Sequence, residues 1–164
     1  MSSKKSIFAV ASCLLTASCV LLSAGGASAQ EKTSYVGPSI GFSNGTTLFG
    51  INAKVKVADS ISIRPFVQFG SRSVGPVSAT VTFYGASATY DFSLPSTQFA
   101  PYAGVGYLGA TASASFQGSS ASASDSSIYF EVGSDYNITD SIAVNANYKF
   151  KDNGFLSIGG AYRF

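Results

Sequence analysis

The chain has no histidine and no tryptophan, and only 11% of it is charged. Without imidazole a Ser-His nucleophile pair cannot be built, so the hydrolase and acyltransferase sites that depend on one are excluded. Cysteine is nearly absent as well. The two that occur, Cys13 and Cys19, both lie close to the N-terminus. If that segment is removed, no thiol remains to form a disulfide or to join a transition-metal site. We therefore expect no catalytic residues, no bound metal and no cofactor, and do not expect an enzyme. A basic surplus is also missing. Lys4 and Lys5 belong to the same N-terminal segment, and without them eight cations face eight anions. Such a balance gives no reason to expect nucleic acid or an anionic surface as a partner. Finally, no stretch shows the 3.6-residue period of an amphipathic helix.

What the N-terminus does have is an order. "MSSKK" is basic, Ile7 to Leu22 is apolar, and "SAGGASAQ" is small. Ala27-Ser28-Ala29 fits the A-x-A pattern of a secretory cleavage site, so we expect a signal peptide over 1–29, cut before Gln30. The apolar run, about sixteen residues, is short for a membrane-anchoring helix, which needs roughly 20. A lipoprotein cut before Cys19 fits poorly, because "TAS" offers no leucine three residues ahead of the cysteine. Residues 30–164 remain as one domain.

In that domain period two recurs, broken by turn signals. The pattern predicts eight strands, at about 34–43, 46–57, 61–70, 78–92, 100–112, 127–136, 141–150 and 155–164. "NG" at Asn44-Gly45 is a hairpin signal, and the serine-rich stretch 113–126 reads as the one long loop. Eight strands of about ten residues joined by tight turns suggest an all-β, antiparallel, up-and-down barrel, whose closure leaves no open edge.

Parity indicates which face is which. Phe49, Ile51, Ala53, Val55 and Val57 alternate with Gly50, Asn52, Lys54 and Lys56. The segments 61–70, 127–136 and 141–150 behave alike, with every charge on the polar parity. The segments 78–92 and 100–112 are ambiguous in facing. A soluble barrel turns its apolar parity inward and a membrane barrel turns it outward. An eight-stranded interior is only wide enough for side chains to fill. The Gly, Ser, Ala and Asn of the polar parity suit that space better than Ile, Val, Phe and Tyr. So few charges would also solubilise an exposed surface poorly. The transmembrane form is therefore expected. Aromatics near both strand ends read as interfacial belts: Tyr90, Phe92, Tyr102, Tyr136, Tyr162 and Phe164 at the end holding the termini, Phe42, Phe69, Phe150 and Phe155 at the other.

The last residues, "SIGGAYRF", resemble the C-terminal assembly signal of bacterial outer-membrane barrels, with Ser157, Gly159, Tyr162 and Phe164 in its positions. The whole domain resembles the small eight-stranded outer-membrane β-barrel family, the class of the OmpA transmembrane domain and OmpX. The resemblance implies a bacterial outer-membrane location with both termini periplasmic, and a monomer surrounded by outer-membrane lipid. It also implies handling by periplasmic chaperones and the barrel-insertion machinery during biogenesis.

Other motifs carry less. "GVGYLG", Gly104 to Gly109, matches a dinucleotide fingerprint but opens no helix, so small residues in a crowded lumen are the better reading. Asp125 among serines is poor evidence for Ca²⁺. The inward charges Lys54, Arg64, Glu131, Asp135 and Arg163 form the candidate cluster. Charges in a narrow lumen need partners, so we expect a neutral plug with Arg64 paired to Glu131. The functional expectation is a structural or surface-interaction barrel. The alternatives are a small pore, or a soluble periplasmic barrel that binds an apolar ligand.

Overall fold

Alternation of large apolar with small or polar side chains produces strands in a computed structural model of the protein, which describes residues 33–74, 77–94, 98–116, 119–151 and 154–164. The predicted signal peptide lies outside the described residues. The strands are β1 (Tyr35–Ser43), β2 (Thr46–Ala58), β3 (Ile61–Val74), β4 (Val77–Asp91), β5 (Phe99–Phe116), β6 (Ser119–Asn137), β7 (Ile142–Phe150) and β8 (Phe155–Arg163). All neighbours are antiparallel, and β8 pairs back onto β1 to close the barrel. Asn44 and Gly45 both have positive φ, 49° and 70°. That is the backbone a two-residue type I′ hairpin needs.

Facing follows parity all the way round. In β7, Ala143, Asn145, Asn147 and Lys149 are buried while Ile142, Val144, Tyr148 and Phe150 are exposed. The two ambiguous strands resolve as well. β4 turns Ser87 and Thr89 inward and Tyr84 and Tyr90 outward. β5 turns Tyr102 and Leu108 inward and Val105 and Tyr107 outward. Outward Ile, Val, Phe and Tyr side chains form a belt that in water would be a large exposed apolar patch. In lipid each gains about 1.5–3 kcal/mol by leaving water, and the closed ladder satisfies the backbone there.

Two residues expected in the belts are not in them. Tyr102 and Phe155 are buried, facing inward. Phe155 shares its parity with Ser157 and Gly159, and position near a strand end does not override parity.

The expected long loop at 113–126 is strand. β5 and β6 run on in continuous register through Ala112↔Ala123, Ser113↔Ser122 and Ala114↔Ala121 to Phe116↔Ser119. Serine and alanine have weak strand preference, which is why their alternation reads as loop. β3 and β4 also extend, pairing up to Val74↔Val77. The remaining strands stop earlier: β7 meets β6 only from Phe130 to Asn137, and β2 meets β3 no higher than Phe49↔Phe69. A four-stranded sheet, β3 to β6, thus stands above the barrel at the end away from the termini.

Candidate functional site

Near the end that holds the termini, the lumen contains two cations and two carboxylates. Lys54 comes from β2, Arg64 from β3, Asp91 from β4 and Asp135 from β6. Arg64 grips Asp135 with two parallel bonds, Nη1 to Oδ1 at 3.1 Å and Nη2 to Oδ2 at 3.0 Å. Its Nη2 also reaches Asp91 Oδ1 at 2.9 Å. Lys54 Nζ bridges the same carboxylates, 2.9 Å from Asp91 and 3.2 Å from Asp135. Neutral groups complete the set. Arg64 Nε donates to Thr89 Oγ1 at 3.0 Å and Nη1 to the Tyr35 hydroxyl at 2.7 Å. Tyr35 donates to Asp135, and Asn145 Nδ2 donates to Tyr35. The guanidinium lies 3.4 Å from the centre of the Tyr102 ring, a stacked cation–π contact. Charges sum to zero, and each carboxylate meets both cations.

Above it lies a polar layer. Gln68 Nε2 donates to Ser39 Oγ at 2.8 Å and to Ser157 Oγ at 3.0 Å. Higher still, Leu48, Phe66, Leu108, Tyr129 and Phe155 pack together, with Val81 and Phe83 against them. Lys149 enters this layer with its ammonium 4.5 Å from the Phe66 ring centre and 5.0 Å from that of Phe155. Glu131 Oε2 is 3.7 Å away, and Asn147 Oδ1 accepts from Lys149 at 2.6 Å.

Of the five lumen residues expected from sequence, three come together: Lys54, Arg64 and Asp135. Arg64 is not paired with Glu131. Glu131 pairs with Lys149 and accepts from Ser87 at 2.6 Å. Arg163 stands apart, half-buried at the terminal end, with no salt bridge to the cluster. The cause is strand stagger. Barrel closure requires a shear, so equal counts from the strand ends are not equal depths. Asp91 was missed because β4 mixes polar and apolar residues on both parities. Lys149 was visible on the polar parity but had no assigned partner.

The four residues of the terminal motif divide between the two faces. Ser157 is buried and bonded to Gln68. Gly159 faces inward where a Cβ would stand 2.9 Å from Asn145 Oδ1. Tyr162 and Phe164 are exposed on the lipid side. The glycines of "GVGYLG" have a packing use. A Cβ on Gly106 would lie 2.5 Å from Tyr129 Cζ, so the tyrosine ring occupies the space that glycine leaves.

On the raised sheet, β6 from Ser119 to Tyr129 has β5 on one side and no partner strand on the other among the described residues. Lys151 Nζ holds Asp125 Oδ2 at 3.1 Å, and this contact keeps the carboxyl below its ordinary range. A groove of about 730 Å³ opens where β2 and β3 part, lined by Thr47, Phe49, Phe69, Ser71, Arg72 and Thr80 among others.

Comparison with known proteins agrees with this architecture. Residues 15–163 match the model of the outer membrane protein beta-barrel domain. Sequence comparison with curated proteins finds no match. Among solved structures, the chain is similar to the N-terminal β-barrel domain of Pseudomonas aeruginosa OprF, at 14% identity and TM-score 0.62, covering 82% of this chain and 98% of that one. Neisserial surface protein A is similar at 19% and 0.60, covering 80% and 94%. Ail, the attachment invasion locus protein of Yersinia pestis, is similar at 18% and 0.58, covering 80% and 96%.

Proposed function

Since the chain belongs to the outer membrane protein beta-barrel domain family, we propose that it is a plugged, monomeric barrel that displays a β-sheet at the bacterial surface for interaction, with both termini in the periplasm. The raised sheet of β3 to β6 is the observation that carries this reading. A barrel serving only as a wall element has no need of strands that outrun the membrane. The lumen argues against the rival pore. Arg64, Asp135, Tyr35 and Tyr102 are all buried within it at one end, and Phe66, Tyr129 and Phe155 at the other. Paired charges and packed rings leave little room for a water column in an eight-stranded interior. A soluble binder of apolar ligands is opposed by a lumen rich in charge and by apolar side chains on the outside. The split terminal motif supports recognition by the barrel-insertion machinery, with Tyr162 and Phe164 free on the outer face.

With the expected signal peptide removed no cysteine remains, so a single introduced thiol is then a unique target. Ser122→Cys, on the raised sheet, should react with a membrane-impermeant maleimide on intact cells. Asp59→Cys, in the turn between β2 and β3, should react only after lysis. The opposite pattern overturns the orientation. Planar-bilayer recording should find almost no conductance, and a steady open channel would promote the pore.

A further inference from the structure

The two ends of the chain meet along the seam between β1 and β8, and that ladder has one fault. The Phe164 N–H donates to the Ser34 carbonyl at 3.0 Å, so this pair and every second pair along the seam exchange hydrogen bonds. Pro38 and Gly160 fall on that series, but proline has no N–H to give. Pairing lapses at Gly37 and Pro38 and resumes at Ser39↔Gly159 in the same register. The Gly160 carbonyl thus lacks its cross-strand donor at membrane depth, where an unpaired backbone group is costly. It leans to the lumen side, since a Cβ on Gly37 would collide with its oxygen. Two more acceptors are stranded beside it. Asn52 Oδ1 and Asn145 Oδ1 are buried and have no hydrogen-bond partner among the described residues. Asn52 lies opposite Gly37, and Asn145 lies opposite Gly159. A Cβ on Gly159 would stand 2.9 Å from Asn145 Oδ1, 2.9 Å from the Pro38 carbonyl oxygen and 3.1 Å from Asn52 Nδ2. Polar atoms therefore surround the place of a missing side chain.

We propose that bound water completes the seam here, donating to the Gly160 carbonyl and to the two asparagine oxygens and accepting from Asn52 Nδ2. Stranded acceptors call for a species that brings either donor groups or positive charge. None of these oxygens is a carboxylate, the group that supplies most of the hold on a divalent cation. The ionic set just below already sums to zero, so a bare cation would add uncompensated charge to the lumen. A small neutral donor remains, and a buried water typically makes about three hydrogen bonds to such groups. Three acceptors exceed the two O–H groups of one molecule, so the site takes two. The site does not reopen the pore. Asn145 Nδ2 is tied to Tyr35 below it, and Gln68 spans Ser39 and Ser157 above it.

The test uses the full barrel, isotope-labelled, in detergent micelles. Water–protein NOE spectra should show long-lived water at the Asn52 side-chain amide and at the Gly37 α-protons. Pro38→Ala restores the N–H, so the Gly37 signal should vanish while the Asn52 signal remains. The tilt of the carbonyl has its own test. Gly37→Ala should lower the urea midpoint of the wild type, and much less so in the Pro38→Ala background, where the oxygen can turn back to its donor. At Gly159 a serine can donate to Asn145 Oδ1 and an alanine cannot. Gly159→Ser should therefore melt above Gly159→Ala, although serine is the larger residue. Absence of long-lived water overturns the proposal. So does an equal loss from Gly37→Ala in both backgrounds, or the reverse order at Gly159. The wild-type spectrum decides even where a variant fails to fold. A midpoint that differs between equal concentrations of sodium chloride and choline chloride would reject water in favour of a cation.

Discussion

Arg64 has no donor to spare. An arginine offers five N–H groups, and Thr89, Tyr35, Asp91 and both oxygens of Asp135 take them. Asp135→Ala would leave Arg64 and Lys54 with Asp91 as their only carboxylate. Removing one partner of a buried ionic set costs about 3–5 kcal/mol, so the urea midpoint of the refolded barrel should fall sharply. Glu131→Ala should instead leave Lys149 among Phe66, Tyr129 and Phe155 with the Asn147 side-chain carbonyl as acceptor and without its carboxylate, while the hydrogen bonds of Arg64 stay in place. The two variants combined should lose more than the sum, because Arg64 and Lys149, each then short of a carboxylate, repel one another within one lumen. Tyr129 gives a third case. Gly106→Val places methyls where its ring lies, and overpacking of this kind costs about 1–3 kcal/mol; equal melting of variant and wild type would refute it. At this scale the sequence was partly legible. Parity identified Lys54, Arg64 and Asp135 as inward. Partner choice depends on shear, which a strand-by-strand count does not contain.

β8 combines two demands in nine residues. Its inner face fits the lumen through Ser157 and Gly159, while its outer face presents Tyr162 and Phe164. Ser157→Ala removes one of the two bonds to Gln68 and should cost about 0.5–1.5 kcal/mol, seen as a modest shift in unfolding. Deleting Phe164 touches no lumen contact. It should lower the amount inserted in the outer membrane and leave export intact, as fractionation with a heat-modifiability gel would reveal; wild-type insertion would end the assembly role. The β5–β6 hairpin was the least legible element. Its pairing is held by backbone and by neighbouring strands, and neither leaves a hydrophobic alternation to read. Lys151 adds a clip at its root. Because the Asp125 carboxyl is held low, the clip is complete above the ordinary carboxylate range and lost only as pH falls through that lowered value.

For the molecule as a whole, the arrangement of faces decides where it can exist. Val55 points outward opposite Ile63 on β3. Val55→Arg should cost about 2–4 kcal/mol near the membrane midplane and less towards an interface. Asn52→Ser, one strand position from Lys54 on the inner face, should be mild. If lipid-vesicle refolding yields were equal for the two, the outward apolar belt would not be the lipid face. Eight strands, their order and the sense of the inside were legible because each rests on period two and closure. The height of the wall was not.

The ionic set also has a consequence in time. Its members lie far apart along the chain, Arg64 and Asp135 by 71 positions, Lys54 and Asp135 by 81, Tyr35 and Asn145 by 110. No hairpin contains the network, and no half-built sheet can form it. Lys54, Arg64 and Asp135 meet only when the last seam shuts. Bonds absent from a transition state leave the forward rate alone and govern the reverse one. The cluster is thus a clasp: Asp135→Ala should enter the bilayer at close to the normal speed and then leave the folded state many times sooner, so that the whole fall in its urea midpoint is found in the unfolding rate.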